Sequence, residues 1–191
     1  MTFHAFVLRS LLAGMLLALP APGHADSWAR PSLKVVASTD GRALVRMVPG
    51  DFSGGKRPEV ELYGYEVEDA QYALKNRFQL RNRIAPVDML LTGQGELVAL
   101  DEWGQVGQGT VLTVYAPDGV PRLQLDLEQL LGEQAAAKAP ASVSSRWWRC
   151  RKPLLNGDDS ELVVRTYDNG ELRVTLASGM VKYTSDSGEC S

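Results

Sequence analysis

A chain of 191 residues that is 45% hydrophobic and 23% charged has the balance of a folded globular protein, with room for one domain or two small ones. Disordered tails, collagen-like arrays, disulfide-dense miniproteins and multi-pass membrane proteins each distort one of these fractions, and all are excluded. A formal net charge of -3 and a pI near 5.4 supply no basic footprint of the kind nucleic acid requires, so nucleic acid is not expected as a partner.

Residues 1–25 carry Arg9, an apolar run over 11–19, then Pro20, Pro22 and the small residues Gly23 and Ala25 ahead of Asp26. This order is that of a secretory signal peptide cleaved after Ala25. The run is short of the roughly 20 apolar residues that a membrane anchor needs. After Leu12-Ala13-Gly14, Met15 stands where a lipidated cysteine would have to be, and no Arg-Arg pair precedes the run. The expectation is general secretory export to a periplasmic or secreted location, with neither a lipid nor a transmembrane anchor. Both histidines, His4 and His24, fall within this leader. A mature chain without imidazole cannot run Ser-His-Asp or Cys-His catalysis or build histidine-based zinc, copper or iron sites. Neither a cofactor nor a metal centre is expected.

Beyond the leader, short β runs alternate with tight-turn residues. Residues 33–37 and 43–48 flank Asp40-Gly41, 90–91 and 97–100 flank Gly93-Gln94-Gly95, and 111–115 and 123–127 flank Asp118-Gly119. Near the end, 161–167 and 171–176 flank Asp168-Asn169-Gly170, and Ser178-Gly179 precedes 180–183. Residues 60–65 and 72–80 supply two further candidate strands. Leu172, Val174 and Leu176 alternate with Arg173 and Thr175, a period of two that predicts antiparallel strands with one buried face and one wet face. One stretch reads as helix: Asp126 can cap it, Gln129 follows three residues later, and Leu127, Leu130 and Leu131 share a face before Gly132. The expected fold class is mainly β, an antiparallel meander or sandwich with one short helix.

The organisation predicted is a β-rich subdomain over 26–132, a linker or helix extension over 133–142, and a small β subdomain over 143–191. Cys150 and Cys190 bracket most of that last unit, and in an oxidising compartment they are expected to form a structural disulfide. Closing a loop of this length is worth roughly 4 kcal/mol in the loop-entropy model. The strand, Asp-Gly turn, strand units, clearest across 85–131, resemble single repeats of β-propeller proteins. That resemblance implies a meander of hairpins and no particular activity.

Two motifs fail on inspection. Gly50 to Lys56 has the G-x-x-x-x-G-K spacing of a phosphate-binding loop, but Arg57 replaces the magnesium-holding hydroxyl and Pro58 opens a strand, not a helix. Ser53-Gly54-Gly55-Lys56 has S-x-x-K spacing, but its glycines and the following proline forbid the helical turn that brings lysine to serine. The oxygen-rich run 156–161 does not space its ligands as a calcium loop does and reads as a solvated turn.

Two segments carry the candidate ligand-binding residues. Asp101, Glu102 and Trp103 lie on a glycine-rich loop between predicted strands, where the indole offers a stacking face and the carboxylates accept hydrogen bonds from a sugar or peptide. The structural reading of the same loop makes Trp103 a cap on the core edge. Trp147, Trp148 and Arg149, flanked by Arg146 and Arg151, form a basic-aromatic cluster of the composition found at interaction hot spots. The ordinary alternative packs one of these tryptophans inward and leaves the arginines solvated. The leading expectation is an exported, non-enzymatic protein that binds a protein or cell-envelope partner. The alternative is a carboxylate-dependent enzyme acting on glycans with two of Asp101, Glu102, Asp118 or Asp126. A purely structural subunit would show neither ligand nor turnover.

Overall fold

The computed structural model describes residues 28–186, 188 and 190 of the chain. The predicted signal peptide and both histidines lie outside the described residues. Among the described residues, twelve strands form three antiparallel sheets of four strands each, every sheet a meander in which chain neighbours pair. The first contains β1 (Lys34–Ala37), β2 (Ala43–Val48), β3 (Glu59–Glu66) and β4 (Gln71–Gln79). The second contains β5 (Pro86–Leu91), β6 (Leu97–Glu102), β7 (Thr110–Tyr115) and β8 (Pro121–Asp126). The third contains β9 (Leu154–Leu155), β10 (Glu161–Arg165), β11 (Glu171–Thr175) and β12 (Val181–Thr184). Between the second and third lie two short helices, α1 (Leu127–Leu131) and α2 (Glu133–Lys138). The protein is mainly β and its sheets close no propeller.

Turn chemistry sets the hairpins. At the β7–β8 turn the Gly119 N–H donates to Ala116 O at 2.8 Å, while Asp118 Oδ1 accepts the Val120 N–H at 2.9 Å. The β10–β11 turn works alike: Asp168 Oδ1 accepts from Thr166 Oγ1 and from the Gly170 N–H. The loop over 50–56 has no helix, and Asp51 Oδ1 holds it by accepting from Ser53 Oγ and the Gly55 N–H. In α1 the Asp126 carboxylate accepts the Gln129 N–H, and the Gln129 side chain accepts the Asp126 N–H in return. Gly132 then ends α1 at φ +78°, and α2 begins as a separate helix within the stretch expected to be a linker or a continuation.

The second sheet is the shared wall of two cores. Its β6 residues Leu97 and Ala99 pack with Val45, Met47, Val60 and Leu62 of the first sheet. On the opposite face, Val98 and Leu100 join Leu162, Val164, Leu172 and Val174 of the third, together with Trp148 and the buried leucines of α1. Alternation therefore vanishes in β6, where Leu97 to Asp101 are all buried, yet persists in β10 and β11, whose outer face is solvated. Cys150 and Cys190 form a disulfide, with Cα atoms 6.0 Å apart. Among the described residues no helix is long and apolar enough to cross a membrane.

Candidate functional site

Asp101, next to last in β6, adopts the left-handed backbone region, φ +59°, and its carboxylate is buried. Its Oδ1 accepts hydrogen bonds from the Gly107 N–H and from Trp148 Nε1, both at 2.9 Å, and its Oδ2 accepts from Arg149 Nε at 3.0 Å. Burial pushes the Asp101 carboxyl above its usual range, against the opposing pull of Arg149 and the hydrogen bonds. The Arg149 guanidinium continues outward to Asp88, Nη2 to Oδ2 at 2.7 Å, so one cation bridges an interior carboxylate and a surface one. The two segments singled out in the sequence are thus joined through a single carboxylate.

Above this buried network the other three tryptophans converge. Trp28 meets Trp103 edge-on at 5.2 Å between ring centroids and stacks nearly parallel to Trp147 at 6.1 Å. Trp103 Nε1 donates to Ala29 O at 2.9 Å, tying the N-terminal segment to the β6–β7 loop. Lys34 Nζ lies 5.5 Å from the Trp103 ring centre and donates to Val87 O at 2.6 Å. Burial lowers the Lys34 pKa; Asp88 opposes the shift, while Lys152 and Arg149 reinforce it. Trp28, Trp147, Val87 and Val106 wall a recess of about 230 Å³, rimmed by Asp88, Arg149 and Lys152.

Each predicted residue has a definite place in this arrangement. Trp147 is 43% exposed, whereas Trp148 is wholly buried within the second core. Trp103 is partly buried at the edge of the first core, and Arg149 is mostly covered. Glu102 points away from the tryptophans: its carboxylate accepts the backbone N–H groups of Arg83, Ile84 and Ala85 at 2.7, 2.9 and 3.4 Å. Asp118 and Asp126, the other carboxylates of the enzyme alternative, serve the turn and the helix cap already described. Trp28, Lys34, Asp88 and Lys152 were not among the predicted site residues. The available signal was Trp28 itself, a large indole just beyond the predicted leader in a segment with no strand pattern.

Among the described residues no group of three potential ligands gathers to hold a metal ion. Set against known proteins, the chain matches no family model, no curated protein and no solved structure.

Proposed function

We propose that this chain is an exported, non-enzymatic protein that binds a protein or cell-envelope partner through the surface formed by Trp28, Trp103 and Trp147. The observation that carries the reading is the gathering of all four tryptophans of the chain in one region, from three distant segments. Trp148 anchors the region from inside, and the other three lie above it with Lys34, Arg149 and Lys152 around them. Aromatic surface beside cations is the composition that dominates binding energy at interfaces. Burying Asp101 with its partners fixes this surface before any partner arrives, which reduces the ordering cost of association. The leader-like N-terminus and the disulfide support a periplasmic or secreted location.

The carboxylate-enzyme alternative draws less support. All four of its candidate acids are engaged in hydrogen bonds that shape the backbone or the core. A photo-crosslinking experiment on solubilised envelope tests the proposal. Trp147→Ala should abolish the crosslinked species, while Met180→Ala, which removes an exposed apolar side chain from the β11–β12 turn, should leave it intact. Equal yields from both variants and the wild-type chain would overturn the reading.

A further inference from the structure

A second recess, of about 320 Å³, opens beside Glu102, between the segment 81–83 and the β6–β7 loop. Its walls differ in kind from those of the tryptophan region. Arg81 and Arg83 supply guanidinium groups, Asn82, Gln105 and Gln108 supply amides, Thr110 supplies a hydroxyl, and among the described residues none of its walls is aromatic.

Most arginines of the described chain, Arg46, Arg77, Arg149 and Arg173 among them, sit in ion pairs. Among the described residues, Arg81 and Arg83 have no such partner, nor does nearby Arg57, which lies close enough to the Tyr115 hydroxyl to act on it together with Arg81. The two carboxylates at the recess do not cancel this excess. Asp101 is buried and paired with Arg149, and Glu102, fixed by backbone N–H groups, sets one negative charge against the three of Arg57, Arg81 and Arg83. In a chain of net charge -3, this end of the molecule therefore carries a local surplus of positive charge.

The backbone that presents these groups is fixed. The Arg81 N–H donates to the Tyr115 hydroxyl at 2.7 Å, Asn82 Nδ2 to Asp101 O at 3.0 Å, and the Arg83 N–H to Glu102 at 2.7 Å. Arg81 and Arg83 are thus pinned to β7 and β6 by their backbone N–H groups, and Asn82 to β6 by its side-chain amide, while the two guanidinium groups stay available. Planar guanidinium forks match the oxygens of carboxylate and phosphate, and amides and hydroxyls match a polyol. We infer that this recess is a binding site for a small hydroxylated anion, a sugar-sized molecule bearing a carboxylate or a phosphate, gripped by Arg81 and Arg83. The site is separate from the tryptophan surface and stands or falls independently of the function proposed for that surface.

Calorimetric titration of the exported chain with galacturonate, glucose 6-phosphate, galactose and inorganic phosphate tests the inference. At least one of the two anionic sugars should bind about tenfold or more tightly than galactose and than phosphate alone, and its affinity should weaken as salt rises. The galacturonate and glucose 6-phosphate arms tell which oxyanion is preferred. Arg81→Gln with Arg83→Gln should remove the binding and Arg81→Lys with Arg83→Lys should weaken it, while Trp147→Ala should leave it unchanged. Both arginines are exposed, and circular dichroism of each variant verifies that the fold is retained. Galactose or phosphate binding as well as the anionic sugars, binding that survives the glutamine variant in folded protein, or no binding by any probe would overturn the inference.

Discussion

Trp148 donates its indole N–H to Asp101 Oδ1 at 2.9 Å, across 47 residues of sequence and in full burial. A carboxylate in that position is stable only while its charged partner, Arg149, and its N–H donors remain in place. Asp101→Asn isolates the charge, because asparagine tolerates the same left-handed backbone conformation. The variant should lose about 1.5–3 kcal/mol of unfolding free energy in a urea titration, the worth of a hydrogen bond between charged groups, because Arg149 keeps its second partner, Asp88. Trp147→Ala, on the exposed side of the same region, should leave the midpoint nearly unchanged.

The loop over 104–109 makes a second expectation specific. Gly107 has φ +68°, and a Cβ there would stand 2.6 Å from Arg146 O and 3.2 Å from Trp148 Cδ1. Gly109 has φ +58° with nothing within 4 Å. Alanine at 109 therefore tests backbone strain alone, about 1 kcal/mol. Alanine at 107 adds a collision with main chain and should cost about 2 kcal/mol more by equilibrium unfolding. Equal costs at the two positions would show that the collision relaxes freely.

Tyr183 on β12 donates to Asp168 Oδ2 at 2.6 Å. Burial, and then this bond to a carboxylate, raise the phenol pKa above its usual value. The stability it contributes is complete at neutral pH and is lost as pH rises past the ordinary phenol value near 10 and through the folded one. Burial opposes ionisation of Asp168, but the hydrogen bonds from Thr166, Tyr183 and the Gly170 N–H outweigh it and hold that carboxyl below its usual range. Its contribution is therefore present above the ordinary carboxylate value near 4 and fades as pH falls through the folded one. Tyr183→Phe should cost about 1 kcal/mol at neutral pH and flatten the alkaline side of the melting temperature profile.

Much of the fold was legible in local sequence because hairpins are local. Asp118-Gly119 and Asp168-Asn169-Gly170 mark turns by their own side chains, and Asp126 with Gln129 announces α1. β9 escaped notice because a two-residue strand carries no period, and β5 begins at Pro86, ahead of the apolar pair that suggested it. The burial of both faces of β6 was not legible either, since it depends on which sheets stack against it. At the candidate site, residue types suggested two separate patches. Their union requires Asp101 to face Trp148 and Arg149, a long-range contact that no local spacing encodes.

The Cys150–Cys190 bridge ties the segment after β12 to the start of the third sheet's chain segment, closing a loop with a sequence separation of 40. Replacing both cysteines with serine should lower unfolding free energy by about 2–4 kcal/mol, and dithiothreitol should shift the wild-type midpoint in the same direction. If the reduced and oxidised forms unfold together, the bridge contributes nothing to the equilibrium.

Because β6 and β7 belong to both cores, neither outer sheet can lose its packing partner without the middle one being disturbed. The middle strands are thus the last to surrender their amide protons to deuterium, while β1, β4 and β12, at the rims of the outer sheets, exchange by local opening. Heat or denaturant should accordingly meet a single cooperative transition governed by the middle sheet. A change at Leu100 on one face would then loosen Val45 and Met47 on the other, making mutational effects on the two outer sheets non-additive despite the distance between them.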